Sequence, residues 1–288
     1  MGTDLAEDRL AILGAGVMGT GIAAMVAGHG VPVVLIDVDT EVLDRARTSI
    51  AGQLRHGQLL GAFPDSTKPG AVTTSVSVAD AEGATSVIEA ITEDAELKAK
   101  VLAEISAVVA PGTPLITNTS GIPIAELARA IDRPTELLGT HFMNPTYLIT
   151  MVEVIRGGQT DEATMAAVRG LLDRLRRKVI VVRDAPGFVT SRLLHPMIND
   201  AVGIVAAGTA TVEAVDELMQ GCLGHPTGPL RTADLIGLDN LADALRVLAD
   251  RTGNEHYRPR ELLLSKVRDG DLGRKTGKGF YDYGKVLS

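Results

Sequence analysis

A glycine-rich turn near the start of the chain constrains its fold more than any other feature. Gly14, Gly16 and Gly19 follow the apolar run 10–13 and open a helical stretch. In dinucleotide-binding α/β folds the first glycine permits a tight turn, the second lets the backbone approach a pyrophosphate, and the third allows close helix–strand packing. A helix N-terminus also offers free amides and partial positive charge to phosphates. The predicted dinucleotide loop comprises Gly14, Ala15, Gly16, Val17, Met18 and Gly19.

Asp37 indicates which dinucleotide the loop binds. It ends the second apolar run, 33–36, where a carboxylate accepts hydrogen bonds from ribose hydroxyls and repels a 2′-phosphate. The next three residues, 38–40, include no arginine that would accept such a phosphate. We therefore expect NAD rather than NADP. The alternatives are a glycine-rich turn in another kind of α/β protein, or a site for FAD or a methyl donor.

Short apolar runs alternate with helical patterns in the first part of the chain, as in a doubly wound parallel sheet. Asp184-Ala185-Pro186-Gly187 marks a boundary, and only helical patterns follow it. We expect a Rossmann-like α/β domain over 1–184 and an all-α domain over 185–288. Strands are predicted at 10–13, 33–36, 72–74, 87–90, 115–117, 138–141, 152–155 and 179–182. Helices are predicted at 19–29, 97–109, 163–176, 189–207, 212–219, 235–250 and 259–269.

Composition excludes several classes of function. The 288 residues are 45% hydrophobic, enough for a sizeable core, and the net charge of −8 lacks the basic footprint of a nucleic-acid binder. Cys222 is the one cysteine, so no intramolecular disulfide forms, which fits a reducing compartment. The six histidines and this cysteine show no metal-ligand spacing, so we expect no metal site.

The N-terminal sequence gives no sign of export. Residues 1–9 are acidic and lack the basic-then-apolar order of a signal peptide, and glycines interrupt the apolar run that starts at Leu10. We expect a cytoplasmic protein that binds neither membrane nor nucleic acid.

A second informative segment contains a histidine and a glutamate. His141 ends a predicted strand, at the edge where open α/β sheets bind ligands, and Glu153 lies on the next predicted strand. Oxidation of an alcohol by hydride transfer needs a base for the hydroxyl proton, and histidine suits this role. A buried carboxylate would orient the ring and stabilise the imidazolium. A structural His–Glu pair is the alternative.

Taken in order, the motifs of the whole chain resemble the short-chain 3-hydroxyacyl-CoA dehydrogenases. Besides the glycine loop, the resemblance rests on segments spread over nearly the full length. They are Glu89-Ala90-Ile91-Thr92-Glu93, Asn118-Thr119-Ser120, His141-Phe142-Met143-Asn144-Pro145, Val152-Glu153-Val154-Ile155, Pro186-Gly187-Phe188, His225-Pro226-Thr227-Gly228-Pro229 and Gly273-Arg274-Lys275-Thr276-Gly277-Lys278-Gly279-Phe280-Tyr281.

The resemblance implies roles for individual residues. His141 is the base, Glu153 its partner, and Ser120 hydrogen-bonds the substrate. It also implies an NAD-dependent homodimer in which the helical domain forms most of the interface. The residues implied to hold the cofactor or close the site are Glu93, Lys98, Asn118, Asn144 and Lys275.

Each of these residues also has an ordinary structural interpretation. Lys98 is equally compatible with a solvated helix charge, and Lys275 with a contact in the tail. Ser120 would serve as a cap for a helix that begins near Pro123, and Asn144 as a turn former.

Three departures from the family pattern concern the substrate rather than hydride transfer. Ser191 stands where the family has an asparagine of the catalytic constellation. Gly52 and His56 stand where lysines bind the CoA phosphates, with Arg55 as a partial substitute. The loop 146–149 replaces a small–Pro–apolar–Met segment and should reshape the acyl pocket.

These departures leave the substrate carrier open. The family reaction is oxidation of a 3-hydroxyacyl-CoA, as in fatty acid metabolism. The alternative carrier is acyl carrier protein, for instance a glyceryl group in polyketide extender-unit biosynthesis, because its pantetheine lacks the adenosine 3′-phosphate. Two other classes are a 3-hydroxyacid dehydrogenase, which would use an active-site lysine instead of His141, and a non-catalytic NAD-binding protein.

Overall fold

The computed structural model describes residues 8–65 and 67–284. Most of the N-terminal segment on which the expectation about export rests lies outside these residues. The chain divides into two compact units, Met1–Asp184 (unit 1) and Ala185–Ser288 (unit 2).

Unit 1 is built on one eight-stranded sheet with the order β3-β2-β1-β4-β5-β6-β7-β8. The strands β2 and β3 are added on one side of β1, and the strands from β4 onward are added on its other side. β1 and β4 therefore flank the point where dinucleotides bind in such sheets. All eight predicted strands are confirmed, with ends shifted by at most one residue. The strands are β1 (Leu10–Leu13), β2 (Val33–Ile36), β3 (Val72–Ser75), β4 (Ser86–Glu89), β5 (Leu115–Thr117), β6 (Leu137–His141), β7 (Met151–Arg156) and β8 (Lys178–Arg183).

The sheet is mostly parallel, as predicted, and one strand pair departs from this arrangement. β7 runs antiparallel to β6, whereas the other neighbouring strands pair in parallel. The physical reason is the connection: the residues 142–150 contain no helix, and a parallel crossover needs a dozen or more residues, usually including one. The reversal places the beginning of β7 beside the carboxyl end of β6.

Helices cover the sheet of unit 1, and aspartate side chains begin three of them. Asp39, Asp94 and Asp161 each accept hydrogen bonds from amides of the following first turn. The interior strands β1, β2 and β4 are buried along their whole length, and the helices pack their apolar faces onto them. The helices are α1 (Val17–Gly28), α2 (Thr40–Leu59), α3 (Ala95–Val108), α4 (Ile124–Leu127) and α5 (Glu162–Arg174).

Unit 2 contains five α-helices among its described residues. The predicted helix 235–250 is wrong as a single element, because Gly237 adopts φ 96° and separates α8 from α9. Leu230, Leu238, Leu241 and Leu245 form the centre of its apolar core. The helices are α6 (Thr190–Ala206), α7 (Val212–Leu223), α8 (Pro229–Ile236), α9 (Leu238–Thr252) and α10 (Glu261–Arg268).

Hydropathy adds one observation about the helices. Within residues 8–65 and 67–284, no helix combines the length and the apolar character needed to cross a membrane.

Candidate active site

The glycine loop between β1 and α1 has the geometry that its pattern predicts. Gly14 has φ 96°, and a Cβ there would lie 2.6 Å from the carbonyl oxygen of Ala90. A Cβ on Gly19 would overlap the carbonyl oxygen of Gly14. A Cβ on Gly16, in contrast, would meet no protein atom within 4 Å. Gly14 and Gly19 are therefore required by the protein's own packing, whereas the space above Gly16 is open to a ligand.

The start of α1 offers hydrogen-bond donors for an anion. No side chain caps this helix and its first turn has no acidic residue, unlike α2, α3 and α5. Asp37 lies beside it: one carboxylate oxygen accepts from the Ala15 amide at 2.7 Å and the other from the Asp39 amide at 3.1 Å. A carboxylate has about four acceptor positions, so Asp37 retains capacity for ribose hydroxyls. The donors, the open space and this acceptor fit a dinucleotide.

His141 and Glu153 face each other across the antiparallel pair β6–β7. The two residues are direct partners in the strand register, and His141 Nδ1 lies 3.1 Å from Glu153 Oε2. Both side chains are buried. The contact through Nδ1 directs the other ring nitrogen, Nε2, away from Glu153. This arrangement fits a general base whose tautomer and orientation are set by a carboxylate.

Ser120 follows β5 at the same edge of the sheet. Glu93 Oε1 accepts from the Ser120 amide at 2.8 Å and from its hydroxyl at 3.1 Å. Asn118 Oδ1 accepts from the Phe142 amide, which ties the segment after β5 to the end of β6. The structure thus collects Glu93, Asn118, Ser120 and His141 at the carboxyl edge of β4, β5 and β6.

Ser120 does not cap the helix that follows it. Helix α4 begins after Pro123, and the carboxylate of Asp184 accepts from the amides of Ile124 and Ala125 instead. The structural alternative for Ser120 is therefore wrong.

Lys98 is fully buried, so the alternative of a solvated helix charge is also wrong. Its ammonium group contacts Glu89 Oε1 at 2.7 Å and Glu93 Oε2 at 3.3 Å. Glu89 is itself fully buried and accepts from the Ile91 amide and the Thr117 hydroxyl. Sequence reasoning assigned no role to Glu89. The feature of the sequence that could have indicated a role for Glu89 is its position as an acidic residue at the end of a buried strand.

The residues implied to contact the carrier lie on α2. Gly52 has open space beside it and Arg55 is exposed. His56 Nδ1 lies 2.8 Å from the hydroxyl of Tyr147, which belongs to the loop 146–149 that departs from the family pattern. This hydrogen bond therefore links two departures from the family pattern, the one at His56 and the one in the loop 146–149.

Three other predicted site residues are placed as follows. Asn144 is exposed in the loop after β6. Ser191 is buried near the start of α6, and Lys275 forms an ion pair with Asp239, both within unit 2. Burial favours a raised pKa for Asp239, but the hydrogen bond and charge of Lys275 hold that pKa below its ordinary value. The contributions of Ser191 and Lys275 to the site stay predictions.

In the described part of the chain, no three or more histidine, cysteine or acidic side chains are grouped so that they could hold one metal ion.

Comparison with known proteins identifies the family. Residues 9–185 match the NAD binding domain of 3-hydroxyacyl-CoA dehydrogenase, and residues 187–283 match its C-terminal domain. A 3-hydroxybutyryl-CoA dehydrogenase from Bradyrhizobium diazoefficiens is 40% identical over 96% of this chain and 95% of its own length.

Solved structures agree with this similarity. The (S)-3-hydroxybutyryl-CoA dehydrogenase PaaH1 from Ralstonia eutropha is 38% identical with a TM-score of 0.87, covering 96% of this chain and 99% of that one. FadB2 from M. tuberculosis is 35% identical with a TM-score of 0.90 and the same coverage. The chain therefore belongs to the 3-hydroxyacyl-CoA dehydrogenase family of NAD-dependent oxidoreductases.

Proposed function

We propose that the protein oxidises the 3-hydroxyl of a short 3-hydroxyacyl-CoA to the 3-oxoacyl-CoA, or catalyses the reverse reduction. The observation that carries this proposal is the buried pair of His141 and Glu153 at the carboxyl edge of β6, the edge at which Ser120 follows the neighbouring strand β5. NAD, when bound, supplies the acceptor for the hydride that leaves the carbinol carbon. The remaining task for the protein is to bind the alcohol and remove its proton.

His141 performs the proton transfer in this proposal. Its Nε2 accepts the hydroxyl proton while the C–H bond breaks, so that a carbonyl forms. The imidazolium that results is stabilised by Glu153, whose carboxylate is in contact with Nδ1. In the direction of reduction the same nitrogen returns the proton to the developing alkoxide. Ser120 binds the reacting oxygen.

Unit 1 holds the cofactor in this proposal. The first-turn amides of α1 bind the pyrophosphate, Gly16 permits its close approach, and Asp37 binds the ribose and disfavours a 2′-phosphate. The predicted contacts of Glu93, Asn118, Asn144 and Lys275 with the cofactor belong to the same proposal. Lys98 is fully buried against Glu89 and Glu93, so in this proposal it holds Glu93 in place instead of contacting the cofactor itself. Unit 2 supplies Ser191 and the homodimer interface.

A second candidate differs only in the carrier, an acyl carrier protein instead of CoA. The observation that favours it is the hydrogen bond of His56 with Tyr147. His56 stands at one of the two positions where the family has lysines for the CoA phosphates, and here its side chain is bonded to the protein instead. Gly52, at the other position, has no side chain to offer. Arg55 is the cation left in the segment 52–58.

The carrier is tested by following NADH absorbance with matched substrates. We expect turnover of 3-hydroxybutyryl-CoA, and a KM that rises less than about threefold when the 3′-phosphate is removed from the CoA. Turnover only of hydroxyacyl or glyceryl groups on a carrier protein would establish the second candidate. Failure of every thioester with NAD bound would contradict both.

The phosphate contact itself is tested with Arg55→Ala. If Arg55 recognises the 3′-phosphate, this variant raises the KM for the CoA ester and leaves the KM for the dephospho-CoA ester unchanged. Arg45→Ala, which removes another exposed arginine from α2, is the matched control and should alter neither value.

A further inference from the structure

Two buried side chains anchor the loop 146–149 to unit 1. Thr146 is buried against α1, where a Cβ on Gly21 would lie 3.1 Å from the Thr146 hydroxyl oxygen. Tyr147 is also buried, and its hydroxyl lies 2.8 Å from His56 Nδ1 on α2. Both side chains are therefore turned into unit 1 and away from solvent.

The backbone of the same loop is held by a buried guanidinium. Arg177 is 3% exposed, and its Nη1 donates to the carbonyl oxygens of Thr146 at 3.0 Å and Ile149 at 3.2 Å. The amides of Leu148 and Ile149 both donate to the Pro145 carbonyl, which closes a turn. Hydrogen bonds from a charged donor are about twice as strong as neutral ones, so this turn is firmly held.

Leu148 is the large apolar side chain that this turn leaves exposed. Its exposed fraction is 40%, whereas Thr146 and Tyr147 are buried and Ile149 is half-buried. An exposed leucine is ordinary on a protein surface, so its meaning depends on what the turn connects.

The turn connects two parts of the proposed site. At one end, the hydrogen bond of Tyr147 with His56 joins the loop to α2, and Arg55, the proposed phosphate contact, is the residue before His56. At the other end, the loop continues directly from β6, whose last residue is His141. We expect the arm of a thioester that reaches from Arg55 to His141 to pass this turn, where Leu148 is the apolar group on offer.

We propose that Leu148 is a specificity-determining residue that contacts the pantetheine arm of the substrate, and that Tyr147 is a positioning residue that holds it there through the hydrogen bond with His56. The arm is common to CoA and to acyl carrier protein, so the contact does not depend on the carrier. This inference rests on the proposed function, because it names the part of the thioester that the loop recognises. The loop then binds the arm and not the acyl chain.

The test compares thioesters that share one acyl group and differ in the carrier. The substrates are the 3-hydroxybutyryl esters of CoA, of dephospho-CoA and of N-acetylcysteamine, which retains only the end of the arm next to the sulfur. We expect Leu148→Ala to raise the KM of the first two esters by the same factor, about three- to tenfold, because one apolar contact is lost. The KM of the N-acetylcysteamine ester, the kcat values and the Kd of NAD should stay within about twofold of the wild-type values.

Several results would contradict a contact with the arm. Equal weakening of all three esters, an effect on the CoA ester alone, or no effect on any ester overturns the proposal. Val181→Ala is the matched control, since it truncates a similarly exposed apolar side chain on β8, and it should change none of the KM values.

A double-mutant cycle tests the positioning role of Tyr147. Tyr147→Phe removes only the hydroxyl, so the ring stays packed against Phe63 while the bond to His56 is lost. We expect it to raise the KM of the dephospho-CoA ester about two- to fivefold, and this increase should vanish in the Leu148→Ala background. No increase, or an increase of equal size in both backgrounds, would overturn the role assigned to Tyr147.

The proposed function and this inference fail in different ways. Wild-type protein that converts none of the three thioesters overturns both. Wild-type protein that converts them, with KM values that Leu148→Ala leaves unchanged, retains the proposed function and overturns the contact with the arm.

Discussion

His141 is the residue on which the chemistry depends, because no other group in the proposed mechanism takes the hydroxyl proton. We expect His141→Gln to lower kcat by about 10²–10⁴, the usual contribution of a general base. The affinity for NAD should stay unchanged, since the glycine loop follows β1 and Asp37 follows β2, away from His141 on β6. Turnover by NADH absorbance and NAD binding by calorimetry check the two halves of this prediction.

A matched control is His256→Gln, which removes an exposed histidine from unit 2 and should retain full turnover. Turnover of the His141→Gln variant at the wild-type rate would remove this residue from the mechanism. Loss of NAD binding in the same variant would show that the substitution disturbs unit 1 as a whole.

The chemistry at the residue scale was only partly predictable from the sequence. His141 and Glu153 stand out because polar residues interrupt apolar strands, but their register depends on the antiparallel turn of β7, which periodicity does not reveal. The contact of the Ser120 hydroxyl with Glu93 depends on side-chain geometry between residues 27 positions apart. Such contacts arise from the order of strands in the sheet, which no local pattern encodes.

At the scale of elements, alanine substitutions at Gly16 and Gly19 should have different effects. The first should weaken NAD binding and the second should destabilise the fold. Gly19→Ala places a methyl group against the Gly14 carbonyl and should lower the free energy of unfolding by about 1–3 kcal/mol, as overpacking does. Gly16→Ala meets no protein atom and should cost less than about 1 kcal/mol, yet weaken NAD binding, because the methyl group occupies the space left for the pyrophosphate.

Urea unfolding and NAD titration of both variants check this contrast. Gly52→Ala is the matched control, since its Cβ also meets no protein atom and it lies away from the glycine loop on α2. A Gly16→Ala variant with wild-type affinity for NAD would contradict the assignment of the open space to the cofactor.

Elements with strong periodicity were predictable, and those that depend on a single backbone conformation were not. The interior strands are continuous apolar runs, so their positions follow from the sequence alone. The break at Gly237 was missed because the apolar periodicity continues from α8 into α9, and one residue with φ 96° separates them. A glycine within a helical pattern is tolerated often enough that it does not by itself mark an end.

The buried carboxylate of Asp234 holds the segment 279–283 in place through hydrogen bonds. Asp234 accepts from the amides of Phe280 and Tyr281 and from the Tyr283 hydroxyl. Burial and the Asp234 charge raise the pKa of Tyr283 to about 12. Because the folded-state pKa lies above the ordinary value of 10.0, the contribution of this hydroxyl is complete below pH 10.0 and is lost as the pH rises to about 12.

Tyr283→Phe should therefore lower the free energy of unfolding by about 1 kcal/mol at pH 8, the value of one hydrogen bond. It should also flatten the loss of stability between pH 10.0 and about 12. Urea midpoints measured across this range check both expectations. Tyr257→Phe removes a hydroxyl elsewhere in unit 2 and serves as the control; an identical pH profile in the two variants would contradict the role of Tyr283.

At the scale of the whole molecule, the proposed homodimer is supported by apolar side chains that unit 2 leaves exposed. Leu193 on α6, and Leu218 and Leu223 on α7, are each more than half exposed, and α6 packs against α7. Large apolar side chains exposed on packed helices are typical of an interface. We expect light scattering to give twice the chain mass of 30.2 kDa. Leu218→Glu should shift this mass toward the monomer by burying a charge in the interface, whereas Leu59→Glu on α2 of unit 1 should leave it unchanged. A wild-type monomer, or equal dissociation by both substitutions, would contradict an interface formed by unit 2.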